Sequence, residues 1–167
     1  MSESNSDFWR FSLRFYRRPE VAGLCLVLQD KHGVDVNLLL FVLYLAINGR
    51  QITLVDVRRF DASIRDWRTR VVQPLRAIRR DLKNAIAPID LQNAESLRSA
   101  IKRDELQAER LQQAALEQEF PLQTTGSSAA SRDAVTANIN ACGALTGALP
   151  GAETRALLTA LSEEFSV

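Results

Sequence analysis

Apolar residues recur along this chain at spacings of three and four, and the runs they form predict helices throughout. The first runs from Ser6 or Asp7, both good N-cap types, to about Arg18. Phe8, Trp9, Phe11, Leu13, Phe15 and Tyr16 cover a wide face of it, and Arg10, Arg14 and Arg17 share a narrow arc. Pro19 suits the first turn of a second helix, Pro19 to His32, with Val21, Leu24, Cys25 and Leu28 in one stripe. Lys31 and His32 favour its negative end, and Gly33 can take the left-handed conformation that closes it. The only His is thereby accounted for as an end-of-helix residue.

The third helix, about Val36 to Asn48, is apolar all round, which is the pattern of a central, fully surrounded helix. Asp35 stands where its N-cap belongs, with Asn37 two residues later. Thr53 starts a fourth helix that reaches Arg68 or beyond, and Pro74 predicts a kink or break at Trp67 to Val72. Helix resumes to about Asn84, and 85–90 is a connector. A long polar helix follows, Gln92 to Gln118, with a sparse seam of Ala94, Leu97, Ile101, Ala108, Leu111 and Ala115 broken by Asp104. That suits an outer helix packed along one edge. Residues 121–132 have linker composition, and short helices are predicted near Asp133–Thr146 and Glu153–Glu164. No alternating strand stands out.

The pattern predicts an all-α protein. It is a compact helical bundle around the apolar helix at about 36–48, with a long polar outer helix and a short C-terminal helical tail. The expected organisation is a helical domain at 6–120, a linker at 121–132 and an Ala-rich, loosely held tail at 133–167. The length of 167 residues is enough to bury a core without disulfides or metal.

Two Cys and one His cannot complete a Cys₄ or Cys₂His₂ zinc site, and no cofactor or metal is expected. Cys25 and Cys142 sit in apolar or Ala-rich surroundings and read as reduced, buried thiols. The longest apolar run, Leu38 to Ile47, is half of what a membrane span needs. The first seven residues lack a basic and an apolar signal region, so the expected location is cytoplasmic.

A net charge of +1 excludes a bulk polycation, yet the charge is not evenly spread. Residues 58–83 hold nine cations and three carboxylates, a local +6 against −5 for the rest. On one continuous helix Arg58, Arg65, Arg68, Arg76, Arg79 and Lys83 fall within about 80° of one another. Arginine suits bidentate contacts to phosphate or carboxylate, so this ridge is a candidate anion- or partner-binding face. The competing reading is a solvated face partly neutralised by Glu105 and Glu109. A second candidate site is a pocket among the first three helices, with Tyr16, Asp35 and Asn37 as its polar residues.

Phosphate-binding glycine loops, a zinc-protease motif and a serine-hydrolase elbow are absent, and this leans against the common enzyme classes. Phe8-Trp9-Arg10-Phe11-Ser12-Leu13, Pro19-Glu20-Val21, Gly33 to Phe41 and Trp67 with Val71-Val72-Gln73-Pro74-Leu75-Arg76 together resemble an uncharacterised proteobacterial family, a domain of unknown function. The resemblance covers roughly residues 7 to 115. It implies a small bacterial protein and no activity, so no functional residue is carried over.

Three readings follow. The first is a non-catalytic interaction or regulatory protein whose arginine face meets another protein with an acidic surface. The second is a protein that binds a small molecule or acyl ligand, or an enzyme, with its pocket among the first three helices. The third is a factor associated with RNA, the ribosome or DNA, for which the near-neutral total is a poor fit.

Overall fold

The computed structural model describes residues 6–147 and 149–167. The helices are α1 (Asp7–Tyr16), α2 (Pro19–His32), α3 (Val36–Ile47), α4 (Leu54–Trp67), α5 (Gln73–Asp81), α6 (Leu91–Glu119), α7 (Ser131–Thr146) and α8 (Gly151–Phe165). The protein is all-α as the periodicity predicts, apart from one two-residue strand pair. Local signals start and stop the helices as read. Ser6 accepts from the Trp9 amide, Asp35 from Leu38 at 3.0 Å, and Thr53 and Asp56 form a reciprocal capping box. Gly33 closes α2 with φ at +65°.

Helix α3 is the axis of the bundle. Every residue from Val36 to Ala46 is buried. A helix with no solvated face needs neighbours on every side, and α1, α2, α4, α6 and α7 supply them. The aromatic part of that shell is a connected set. Phe8 meets Phe41 at 5.1 Å, Phe41 meets Phe60 at 5.2 Å, and Phe60 meets Phe120 at 4.6 Å. Each such ring contributes a few kcal/mol by burial, on the order of 1.5–3.

The C-terminal segment does not hang free. Of the described elements, α7 packs most extensively on α3. Ala134, Val135, Ile139 and Cys142 of α7, and Leu157, Ala160 and Leu161 of α8, belong to the same core cluster as α3. Alanine-rich helices present little side chain, so they approach closely and need close approach to bury anything. The expectation of a loose tail gives way for that reason.

The linker expectation changes too. Residues Ser127–Ser128 pair antiparallel with Arg50–Gln51. Gly126 has φ at +66°, and a Cβ there would collide with the Gln51 carbonyl oxygen. Its linker-like composition reflects that close backbone approach. Asn138, fully buried, ties the region together. It accepts from the Ile52 amide at 2.8 Å and donates to the Val42 and Arg50 carbonyls at 3.0 Å each.

Pro74 neither breaks nor ends the helix. Residues Arg68–Val72 form a π-helical turn that joins α4 to α5, closed by the Gln73 amide donating to the Arg68 carbonyl. A π turn takes one extra residue, so it rotates everything after it relative to α4.

Asn138→Leu removes the partners of one amide and two carbonyls, and is expected to destabilise the fold by about 2–4 kcal/mol in urea titration. A chain ending at residue 120, which lacks the α7 and α8 part of the core, is expected to show no cooperative unfolding transition.

Candidate functional site

Tyr16, Asp35 and Asn37 and three of the six ridge residues border one cleft. It lies between α1, α2 and the start of α3 on one side and α5 and α6 on the other. Three adjoining hollows of about 250, 220 and 620 Å³ make it up, and all three share Gln29 and Val36 as lining. Tyr16, Asp35 and Asn37 line these hollows, as do Arg68, Arg76 and Arg79.

The rest of the predicted ridge lies elsewhere. Arg58, Arg65 and Lys83 are exposed and line none of these hollows. The shared arc presumed a regular helix, and the π turn rotates Arg76, Arg79 and Lys83 out of phase with Arg58 and Arg65. Arg65 pairs with Asp61 at 2.7 Å.

Arg68, Arg76, Arg79 and Arg80 are held by carboxylates of the chain itself, whereas Lys102 and Arg103, which line the 620 Å³ hollow, form no ion pair among the described residues. Arg68 donates to Asp35 and Asp61 at 2.8 Å each. Arg76 donates to Glu105 at 3.0 Å and to Glu109 at 2.6 Å. Arg79 donates to Glu105, its Nη2 at 3.2 Å and its Nε more closely. Arg80 reaches Asp30 across the cleft mouth. Asp35 therefore does two jobs: Oδ1 caps α3 while Oδ2 receives Arg68.

Helix α6 supplies the buried polar floor. Its seam differs from the one read along the sequence, since Leu97 and Leu111 are about half exposed. The covered stripe instead runs through Ala94, Glu105, Ala108, Gln112, Gln113 and Leu116. Glu105 and Glu109 meet the α5 arginines as the neutralised reading expects, but Glu105 is only 6% exposed, so that contact is not a solvated one. The arginines of α5 make the burial of these groups tolerable. Gln113 donates to Asn37 at 2.8 Å and accepts from the Ser12 hydroxyl at 2.8 Å. The signal that could have found Gln112 and Gln113 is their place, seven and eight residues after Glu105, on one helical stripe.

Burial and charge separate the two glutamates. Burial raises the Glu105 carboxyl, but the bonds from Arg79 and Arg76 outweigh it and hold it below the usual range. Glu109 is raised by burial, which its Arg76 contact only partly offsets. Burial likewise pushes the Cys25 thiol up to about 11 and the Cys142 thiol up to about 12. Both are free and buried, and neither is a thiolate at neutral pH. His32 is exposed at the end of α2. Among the described residues no group of three or more His, Cys, Asp or Glu is gathered for a metal ion. No helix among them is long and apolar enough to cross a membrane.

Fold and cleft together define an all-α bundle with an arginine-walled groove beside its central helix. Residues 7–116 match the family described as "Protein of unknown function (DUF2390)", and the chain belongs to that family. The resemblance read over residues 7 to 115 is thus borne out, and every cleft residue named above falls inside the match. No curated protein and no solved structure matches the chain.

A carboxyl held below its unfolded value of 4.5 stabilises the fold above that pH, and its contribution fades as pH falls through the lowered value. Glu105→Gln is therefore expected to cost about 2 kcal/mol at neutral pH, with the gap to wild type narrowing below about pH 4, read by urea titration across pH.

Proposed function

We propose that this is a small-molecule-binding protein and that the cleft between α1–α3 and α5–α6 takes an amphipathic ligand. The convergence of Leu13, Tyr16, Leu26 and Leu106 on that cleft carries the reading. They come from three helices, and each is 37–54% exposed. All four line the two adjoining hollows on the α1 side. Apolar side chains left in water around a concavity, beside a few fixed polar groups, are the usual make-up of a small-molecule site. The polar groups here include Gln29, Asn37, Arg76 and Glu109, with Lys102 and Arg103 at the α6 side of the larger hollow.

This reading is favoured over an open arginine face for an acidic protein or a nucleic acid. Arg68, Arg76 and Arg79 already have carboxylate partners within the chain, so they offer little uncompensated charge to a polyanion.

Trp9 lines the 220 Å³ hollow and is a built-in reporter. In a Trp67→Phe background, hexanoate, octanoate and decanoate are expected to change Trp9 emission saturably, with affinity rising with chain length. Leu106→Arg is expected to weaken decanoate at least tenfold. An unchanged Leu106→Arg response would falsify the reading.

A further inference from the structure

The 250 Å³ hollow at the α5 end of the cleft carries a feature that the apolar convergence does not explain. Gln112, 2% exposed, is its most buried polar lining residue. Its amide nitrogen sits 3.4 Å from Asp35 Oδ2. A carboxylate only accepts, so the nitrogen must face it and the amide cannot be turned over. Oε1 is left buried with no hydrogen-bond partner. An orphaned buried acceptor costs about 1–3 kcal/mol, and a donor arriving in the hollow would recover it.

The charges around that acceptor are arranged in both signs. Arg68, Arg76 and Arg80 line the hollow together with Asp30 and Asp35. The ion pairs use Nη1 of Arg68, Nε and Nη2 of Arg76, and Nη2 of Arg80. Nε and Nη2 of Arg68 and Nη1 of Arg76 make no hydrogen bond among the described residues, so guanidinium donors remain while the charge is balanced. A bare anion would meet two carboxylates and leave Gln112 unsatisfied. A bare amine would meet three guanidinium groups. A molecule with carboxylate and ammonium on neighbouring atoms satisfies both.

We propose that this hollow is a head-group subsite for a free α-amino acid, its carboxylate on Arg68 and Arg76 and its ammonium on Gln112 Oε1 beside Asp35. The inference rests on the small-molecule reading above and names the ligand class. An apolar side chain would leave the subsite past Gln29 and Val36, which line the neighbouring hollows as well. Such a ligand is neutral overall, in keeping with a hollow whose three arginines already have carboxylate partners.

Isothermal titration of the full chain separates the possibilities. The probes are L-leucine, 4-methylpentanoate (leucine without its ammonium), 3-methylbutylamine (leucine without its carboxylate) and decanoate. L-Leucine is expected to bind at least tenfold tighter than either truncated analogue. Gln112→Met, close in shape and lacking the acceptor, is expected to cut leucine affinity about tenfold and leave decanoate unchanged. Decanoate binding without leucine binding, or equal affinity for leucine and 4-methylpentanoate, overturns the amino-acid subsite and leaves the small-molecule reading standing. Failure of all four probes overturns both. The analogue comparison needs no variant, so a misfolded Gln112→Met protein does not spoil the test.

Discussion

Eleven consecutive buried residues, Val36 to Ala46, are the constraint from which the remaining architecture follows. A helix with no polar face cannot sit at a surface, so the chain must surround it. Phe8, Phe11 and Phe15 cover it from α1, Val57, Phe60 and Ile64 from α4, and Leu116 from α6. The remaining side falls to the small residues of α7, which is why a segment with the composition of a tail lies in the core. Where a polar group enters this shell it must bring partners. Asn37 has Gln113 and through it Ser12, and Asn138 binds three main-chain groups at the other end of α3.

The cleft is a consequence of how α3 begins. Its cap, Asp35, stands at the edge of the apolar shell, half in reach of the helices that pass outside. Arg68 comes to it from the π turn, and Gln112 from α6. From there the arginines of α5 find the glutamates of α6. These contacts join α5 to α6 by polar links instead of apolar packing, and α5 has no buried residue. Two surfaces joined by side chains of that length do not close up, and the hollows remain between them.

Charge segregation therefore has a different meaning in three dimensions. The +6 stretch and the acidic positions of α6 are complementary halves of one contact. At the α5 end of the site guanidinium groups and carboxylates alternate.

Helix boundaries, caps and the central place of α3 were legible in the residues, because they depend on neighbours within one or two turns. Ser6, Gly33, Asp35 and Thr53 act through contacts three to six positions away. Asp35 and Asn37 could be placed together for the same local reason, since they flank the start of α3, whereas Tyr16 comes to them from the end of α1. The union of that pocket with Arg68, Arg76 and Arg79 was not legible. It depends on a π turn that alters helical phase, and on contacts such as Arg76 to Glu105 that span 29 positions. The seam of α6 was misread because apolar periodicity assumes an apolar partner, whereas α5 offers arginines and so selects Glu105. Hydrophobic pattern alone determined which segments are helices and which helix must be innermost. Glu105 and Glu109 could be named as neutralising neighbours of the ridge, but only the tertiary packing decided which arginines meet them and how deeply, because the energy of an ion pair depends on distance in space and not on separation along the chain.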